Sequence, residues 1–214
     1  MGPFLIVDDH SAVREGLGRI LGAEIPGVTL HYAASYKDAL AAIETQSFTF
    51  AVLDISMAGG DGLSLVREIK DRSPHTRILI HTMHPEEPFA LRALRAGADG
   101  FVTKDAPVTG ILAAVRKIIQ GGRAFSPAVA ELLIASCAGA GPSHGLAALS
   151  DREFQILRLY ASGKTTSEIA ETLNLSAKTV SSHRARILEK LDLRTTAELI
   201  RFGLEHKLDS TPAP

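Results

Sequence analysis

Several features are scarce in this 214-residue chain, and each scarcity excludes a class of protein. A single cysteine, Cys137, rules out an internal disulfide and fits a reducing cytoplasm. No apolar run approaches the roughly 20 residues that span a bilayer. No basic segment opens the chain, so we expect a cytoplasmic protein without a signal peptide or a membrane partner. The net charge of −1 gives no overall field that would attract nucleic acid.

Residues 1–121 alternate between strand-like and helix-like segments, a pattern typical of a parallel sheet with crossover helices. Five such repeats predict an α/β domain with a flavodoxin-like, doubly wound, five-stranded parallel sheet. The predicted strands are 4–7, 28–33, 50–54, 77–82 and 100–104, and the predicted helices begin near Ser11, Ser35, Gly62, Pro88 and Pro107. This fold places the first strand beside the third.

The pattern changes after residue 121. A short helix at 126–136 leads into 137–145, a segment of glycine and small residues that holds our predicted domain boundary. We therefore expect residues 122–148 to form a helix and a linker. The next stretch, 149–208, predicts a small all-α domain whose four helices lie near 151–162, 167–173, 177–191 and 196–206. The tight turn between the second and third of these helices predicts a helix-turn-helix, and 209–214 are expected to be a disordered tail.

Charged and polar residues follow four of the predicted strands. Asp8 and Asp9 end the first strand, Asp54 ends the third, Thr82 the fourth and Lys104 the fifth. A charge inside a buried strand is costly, so these groups belong at the carboxyl ends, where open α/β sheets bind ligands. For any one of the three aspartates alone, an ordinary solvated strand end would be the preferred interpretation. Together they predict one site.

Such a cluster suits phosphoryl chemistry. Mutual repulsion of the carboxylates calls for a cation, and hard oxygen ligands suit Mg²⁺, which keeps water for phosphate oxygens. A metal held by Asp9 and Asp54, with Asp8 in support, leaves one Asp54 oxygen to attack phosphorus. Lys104 would then neutralise the phosphoryl charge, and Thr82 would hydrogen-bond it. His10, His81 and His84 lie nearby, but without the spacing of zinc ligands we interpret them as neighbours of the site.

The third helix of the second domain carries a polar face opposite Val180 and Ile187. The exposed positions predicted from helical geometry are Lys178, Ser182, Ala185, Arg186 and Glu189, with Ser181 on the flank and Lys190 near the end. A recognition helix presents such residues to base edges and phosphates. A solvated basic face of an ordinary bundle is the alternative.

The segment Val7-Asp-Asp-His-Ser-Ala-Val-Arg-Glu-Gly-Leu17 and the order of the strand-end residues resemble the receiver domain of two-component response regulators of the NarL/LuxR type. The resemblance implies that Asp54 is the phosphoacceptor and that Mg²⁺ (or Mn²⁺) binds Asp9, Asp54 and the backbone carbonyl of Ser56, beside Asp8. It also implies that Lys104 binds the phosphoryl group and that Thr82 and Phe101 form a switch pair. An ordinary core role for Phe101 is equally open.

Two positions depart from the family pattern. Ala58 stands where a proline is usual, so the turn after Asp54 is less constrained. Met83 stands where a small residue is usual, and its bulk is expected to restrict phosphoryl access. Neither change removes a reacting group.

The segments Leu149-Ser-Asp-Arg-Glu-Phe154 and Leu175-Ser-Ala-Lys-Thr-Val-Ser-Ser-His183 resemble the LuxR-type DNA-binding domain. By that resemblance the residues that contact the DNA backbone are Lys178, Thr179, His183 and Lys190. The positions that read the DNA bases are Ser181, Ser182 and Ala185. The last helix, with Leu199, Ile200 and Leu204, would help the domain to dimerise on DNA or would simply close the core.

Together these features predict a transcriptional regulator that a sensor histidine kinase phosphorylates on Asp54. We expect it to form a homodimer when phosphorylated and to bind double-stranded DNA at inverted repeats. We also expect it to catalyse nothing beyond its own phosphotransfer and dephosphorylation. One alternative is a regulator that does not need phosphorylation; another is a protein-interaction module. A phosphatase of the haloacid-dehalogenase kind would need an aspartate where this chain has Ser56.

Overall fold

The computed structural model describes residues 2–57, 60–137, 145–206 and 208. Ala58, most of the glycine-rich segment and the predicted tail therefore lie outside the described residues. The chain forms two compact units, Met1–Ala130 and Glu131–Thr211, and each is considered by itself.

A five-stranded parallel sheet forms the centre of the first unit. The strands in chain order are β1 (Phe4–Val7), β2 (Leu30–Ala33), β3 (Phe50–Leu53), β4 (Ser56–Met57), β5 (Gly60–Asp61), β6 (Arg77–Thr82) and β7 (Gly100–Thr103). The main sheet has the order β2-β1-β3-β6-β7, which confirms the flavodoxin-like prediction. Val7 pairs with Leu53 and Leu53 with Ile80, so the carboxyl ends of the central strands are aligned.

The sheet is buried because its central strands are apolar on both faces. Every residue of β1 and β3 is buried, and the Phe4 and Phe50 rings stack with centroids 4.9 Å apart. Both faces of such a sheet must be covered by helices. The helices of this unit are α1 (Ser11–Glu24), α2 (Tyr36–Thr45), α3 (Gly62–Arg72), α4 (Glu86–Ala96) and α5 (Val108–Ile119).

Local signals fix two of the helix ends in this unit. Ser35 caps α2 by accepting from the Asp38 amide at 3.1 Å, and Gly97 ends α4 with φ of 107°. Two predicted starts differ from the structure. Glu86 begins α4 two residues before Pro88, and Pro107 is the N-cap of α5 and not its first helical residue, both with extended backbone before the helix.

A two-stranded antiparallel ribbon, β4 with β5, follows the strand that carries Asp54, and the sequence pattern did not indicate it. Gly62 comes next, and its amide donates to the Ile55 carbonyl at 3.1 Å. A Cβ at position 62 would lie 2.4 Å from the Asp54 carbonyl oxygen and 2.7 Å from Ile55 Cα. Only glycine therefore fits beside the backbone that carries Asp54.

The second unit is helical throughout its described part. Its elements are most of α6 (Pro127–Cys137), a 3₁₀ turn (Leu146–Ala148), α7 (Asp151–Ala161), α8 (Thr166–Thr172), α9 (Ala177–Lys190) and α10 (Thr196–Glu205). Asn174 has φ of 51° in the turn between α8 and α9. Ser176 caps α9 by accepting from the Thr179 amide at 3.1 Å. Val180 and Ile187 are fully buried on the inner face of α9, which confirms the predicted helix-turn-helix.

Candidate functional site

The carboxyl ends of the strands bring Asp8, Asp54 and Lys104 into direct contact. The Asp54 amide donates to the Val7 carbonyl at 2.9 Å, and the Lys104 amide donates to the Thr82 carbonyl at 2.7 Å. These main-chain bonds hold the residues at adjacent strand ends. Lys104 Nζ then lies 2.7 Å from Asp8 Oδ2 and 2.7 Å from Asp54 Oδ2.

The electrostatics of this contact are those of a buried, shared ammonium. Only 1% of Asp8 and 3% of Asp54 are exposed. Burial by itself lowers the pKa of Lys104, but the hydrogen bonds and charges of Asp54 and Asp8 outweigh it and raise the pKa above its usual value. Lys104 is therefore held as a cation against two carboxylates.

Asp9 and His10 complete a cluster of possible metal ligands. One ligand atom from each of Asp8, Asp9, His10 and Asp54 lies within 4.8 Å of all the others. Asp9 Oδ1 is buried and lies 2.7 Å from His10 Nδ1, yet it accepts no well-aligned hydrogen bond within the described residues. A buried carboxylate oxygen without a donor fits a place for a cation, and the carboxylate set suits Mg²⁺.

The segment after Asp54 is held from two sides. The Ser56 amide donates to Asp54 Oδ1 at 3.1 Å, and the Ser56 hydroxyl lies 2.5 Å from His84 Nε2. His84 is buried and stacks on Phe89 of α4, with ring centroids 4.2 Å apart. The residue whose carbonyl we expect at the metal is thus connected to α4, a contact that the sequence did not reveal.

The predicted switch residues are both buried. Thr82 is fully buried, and its hydroxyl accepts from the His84 amide at 3.4 Å. Phe101 is 5% exposed, whereas Met83 is 71% exposed. The Met83 side chain is therefore largely exposed to solvent. That its bulk restricts access of the phosphoryl group stays a prediction.

His81 is buried beside the carboxylate cluster. Burial is the largest effect that lowers its pKa, and the Lys104 charge adds to it, while Asp8 and Asp54 act in the opposite direction. Neither ring nitrogen has a hydrogen-bond partner in the described part of the chain. His81 is therefore held neutral.

The outer face of α9 carries the residues predicted to contact DNA. The exposed members are Lys178, Ser182, Ala185 and Arg186, and the partly exposed members are Thr179, Ser181, His183 and Lys190. Their identities, basic and hydroxylic around one alanine, give a polar surface opposite the buried Val180 and Ile187.

Lys190 has a second environment that sequence reasoning missed. Its Nζ lies 2.7 Å from Glu153 Oε2, and Glu153 also forms the capping box of α7 with Ser150. Burial acts to raise the pKa of Glu153, but the Lys190 hydrogen bond and the Ser150 amide and hydroxyl lower it overall. The S/T-x-x-E spacing at 150–153 is a signal in the sequence that could have indicated a capping role for Glu153.

A receiver-type sheet with this acidic site, followed by a helix-turn-helix unit, defines the class of signalling proteins that regulate transcription. Residues 4–116 match the model of the response regulator receiver domain, and 147–202 match that of the bacterial regulatory proteins of the luxR family. The chain belongs to the LuxR family of two-component response regulators, which are DNA-binding transcription factors.

Relatives of similar length agree with this membership. Response regulator UvrY of Escherichia coli K12 is 34% identical, with 95% of this chain and 94% of UvrY covered. Fimbriae Z protein of Salmonella typhimurium is 36% identical, with 95% and 97% covered. RcsB of Salmonella enterica serovar Typhimurium, solved on the promoter rprA with the phosphomimetic BeF3⁻, is 26% identical with a TM-score of 0.72, covering 99% of this chain and all of that one.

None of the helices in the described ranges is both long and apolar enough to cross a membrane.

Proposed function

We propose that a sensor histidine kinase phosphorylates Asp54 in a reaction that requires Mg²⁺, and that phosphorylation controls DNA binding by α9. The observation that carries the proposal is the placement of Lys104, 2.7 Å from both Asp54 and Asp8. A structural salt bridge needs one carboxylate for each ammonium. Here one ammonium serves two carboxylates, and a third, Asp9, lies beside them.

The chain's own groups account for the transfer step. An Asp54 oxygen bonds to the phosphorus of the donor phosphohistidine as the phosphorus–nitrogen bond breaks, and the imidazole nitrogen leaves with the electron pair and takes up a proton. The new acyl phosphate adds negative charge that Lys104 Nζ neutralises. The Thr82 hydroxyl donates a hydrogen bond to a phosphoryl oxygen.

The metal site is assigned to the oxygens at the same edge of the sheet. Asp9, Asp54 and the Ser56 carbonyl would hold Mg²⁺, with Asp8 in support. When bound, Mg²⁺ lowers the charge repulsion between the carboxylates and the incoming phosphoryl group. The Ser56 backbone N–H donates a hydrogen bond to Asp54 Oδ1 at 3.1 Å, and this hydrogen bond orients the carboxylate for this role.

The output of the switch is assigned to the second unit. Movement of Thr82 and Phe101 would change the surface of α4, β7 and α5, and this change would release the DNA-binding domain or drive dimerisation on inverted repeats in DNA. The structure of two RcsB dimers bound to two parallel DNAs supports this assembly by likeness, at 27% identity and a TM-score of 0.58. We assign the receiver to 1–121, the helix and linker to 122–148 and the DNA-binding domain to 149–208.

Labelling of the full chain with radioactive acetyl phosphate in Mg²⁺ tests the proposal. Wild type and Asp71→Asn, an exposed aspartate of α3, are expected to be labelled equally, and Asp54→Asn not at all. Omission of Mg²⁺ should have the same effect as Asp54→Asn. Labelling of Asp54→Asn at another residue would refute the assignment.

The alternative is a regulator that does not depend on phosphorylation. Genome-wide DNA occupancy in cells, measured for wild type and Asp54→Ala, separates the two functions. Equal occupancy at all promoters would support the alternative, and reduced occupancy of the variant would support phosphorylation control.

A further inference from the structure

We infer that His10 supplies a nitrogen ligand to the metal site and gives it a preference for first-row transition ions over Mg²⁺. The inference rests on the proposed metal site and adds one donor to it. The ions expected to gain are divalent transition ions such as Mn²⁺ and Co²⁺. A site made only of carboxylates and a carbonyl would not favour these ions over Mg²⁺ to the same degree.

The position of the imidazole carries the inference. His10 Nδ1 lies 2.7 Å from Asp9 Oδ1 and 3.4 Å from Asp8 Oδ1. Adjacent ligands of an octahedral ion with bonds of about 2.1 Å are about 3.0 Å apart. The distance from the nitrogen to each of the two oxygens is therefore already close to that between adjacent ligands of one ion.

The backbone of His10 is fixed beside the two aspartates, which keeps the ring within reach of their carboxylates. His10 is the N-cap of α1, its amide donates to Asp8 Oδ1 at 2.9 Å, and its carbonyl accepts from the Arg14 amide at 3.0 Å. Arg14 Nη1 also donates to the Asp8 carbonyl at 2.6 Å. The Cα of His10 is thus held beside the carboxylates, while its ring, 67% exposed, remains free to turn onto an ion.

Asp9 supplies the complementary evidence. Its Oδ1 is buried and has no aligned donor in the ranges described, even though His10 Nδ1 is close. A simple ion pair would align an N–H with that oxygen. A cation that binds both atoms as adjacent ligands would satisfy both lone pairs, because imidazole nitrogen and carboxylate oxygen are both ligands of Mn²⁺ and Co²⁺.

Electron spin echo spectroscopy of Mn²⁺ bound to the full-length, unphosphorylated chain tests the inference directly. We expect modulation from one directly bound ¹⁴N nucleus in wild type and in His75→Asn, a variant of an exposed histidine before β6, at the opposite edge of the sheet. His10→Asn should lose the nitrogen signal and retain bound Mn²⁺. Mn²⁺ bound to wild type without ¹⁴N modulation would overturn the inference.

Metal affinity gives an independent measure. His10→Asn is expected to weaken Co²⁺ binding on the order of tenfold and Mg²⁺ binding less than about twofold, because Mg²⁺ favours oxygen. Equal losses for both ions would overturn the role of His10. Asp9→Asn distinguishes a wrong role for His10 from a wrong metal site. If Asp9→Asn leaves the binding of both ions unchanged, the whole proposed metal site is wrong. If Asp9→Asn abolishes binding, the metal site stands and only the role of His10 is at stake.

Discussion

The two units of this protein hold their functional groups in opposite ways. In the receiver unit the proposed site residues are buried, with Asp8 and Asp54 each 3% exposed or less and sharing one ammonium. In the DNA-binding unit the candidate contacts lie on the outer face of α9, above a buried apolar face. Buried charges depend on their partners, because an unpaired one costs several kcal/mol. Exposed charges contribute little to the stability of the fold, and each one that contacts a DNA phosphate adds its own increment to the binding affinity.

The contrast predicts that receiver substitutions change stability and chemistry together. Lys104→Met leaves two buried carboxylates without a cation, and we expect it to lower the free energy of unfolding by about 3–5 kcal/mol in EDTA. Urea denaturation measures the loss. Added Mg²⁺ should recover part of it by binding the native state. A loss below 1 kcal/mol would show that the carboxylates do not depend on Lys104.

Lys190 is where the contrast is weakest, because it lies on α9 but binds a buried partner. Lys190→Met leaves Glu153 unpaired, and we expect a stability loss of about 1–3 kcal/mol. Chemical denaturation followed in the second unit gives the value. Arg186→Met, on the exposed face of the same helix, is the matched control and should change stability by less than about 0.5 kcal/mol. Equal effects of the two variants would remove the distinction.

The same pair predicts a pH dependence. The folded-state pKa of Glu153 is lowered from its ordinary value of 4.5, so its contribution is present above pH 4.5 and is lost as pH falls through the lower folded pKa. Glu153→Gln should therefore lower stability at neutral pH and flatten its decline in acid. Thermal unfolding of wild type and variant at pH 7, 5 and 3 compares the slopes. Parallel curves would contradict the assignment.

The smallest expected effect on folding belongs to the exposed face. Lys178→Ala should weaken binding to all DNA sequences alike and reduce the slope of log affinity against log salt by about one. Its stability should change by less than about 0.5 kcal/mol. Lys117→Ala, an exposed lysine of α5 in the receiver unit, is the control and should leave the slope unchanged. An unchanged slope for Lys178→Ala would remove it from the interface.

What the sequence could predict follows from the range of the interactions. Asp54, Asp9 and Lys104 were predictable as neighbours because parallel strands end at one edge of the sheet. The contacts of Ser56 with His84 and of Glu153 with Lys190 join residues 28 and 37 positions apart, and no periodic pattern marks them. The ribbon of β4 and β5 is too short for a periodicity to indicate it.

His10 shows a different limit of sequence reasoning, and its role as a metal ligand is our proposal. Its spacing from the other histidines does not fit a zinc site, but its partners are the two aspartates immediately before it. Main-chain direction at the start of α1, not spacing along the sequence, brings its ring to them.

Gly62 offers no group for chemistry, yet its missing side chain is what lets α3 begin against the Asp54 carbonyl. In a survey of all single substitutions scored by signalling output, position 62 should therefore be as intolerant as position 54, the proposed phosphoacceptor. Its variants would differ from those at position 54 in one way: second-site changes that widen the turn should restore their function, whereas no remote change can replace a missing nucleophile.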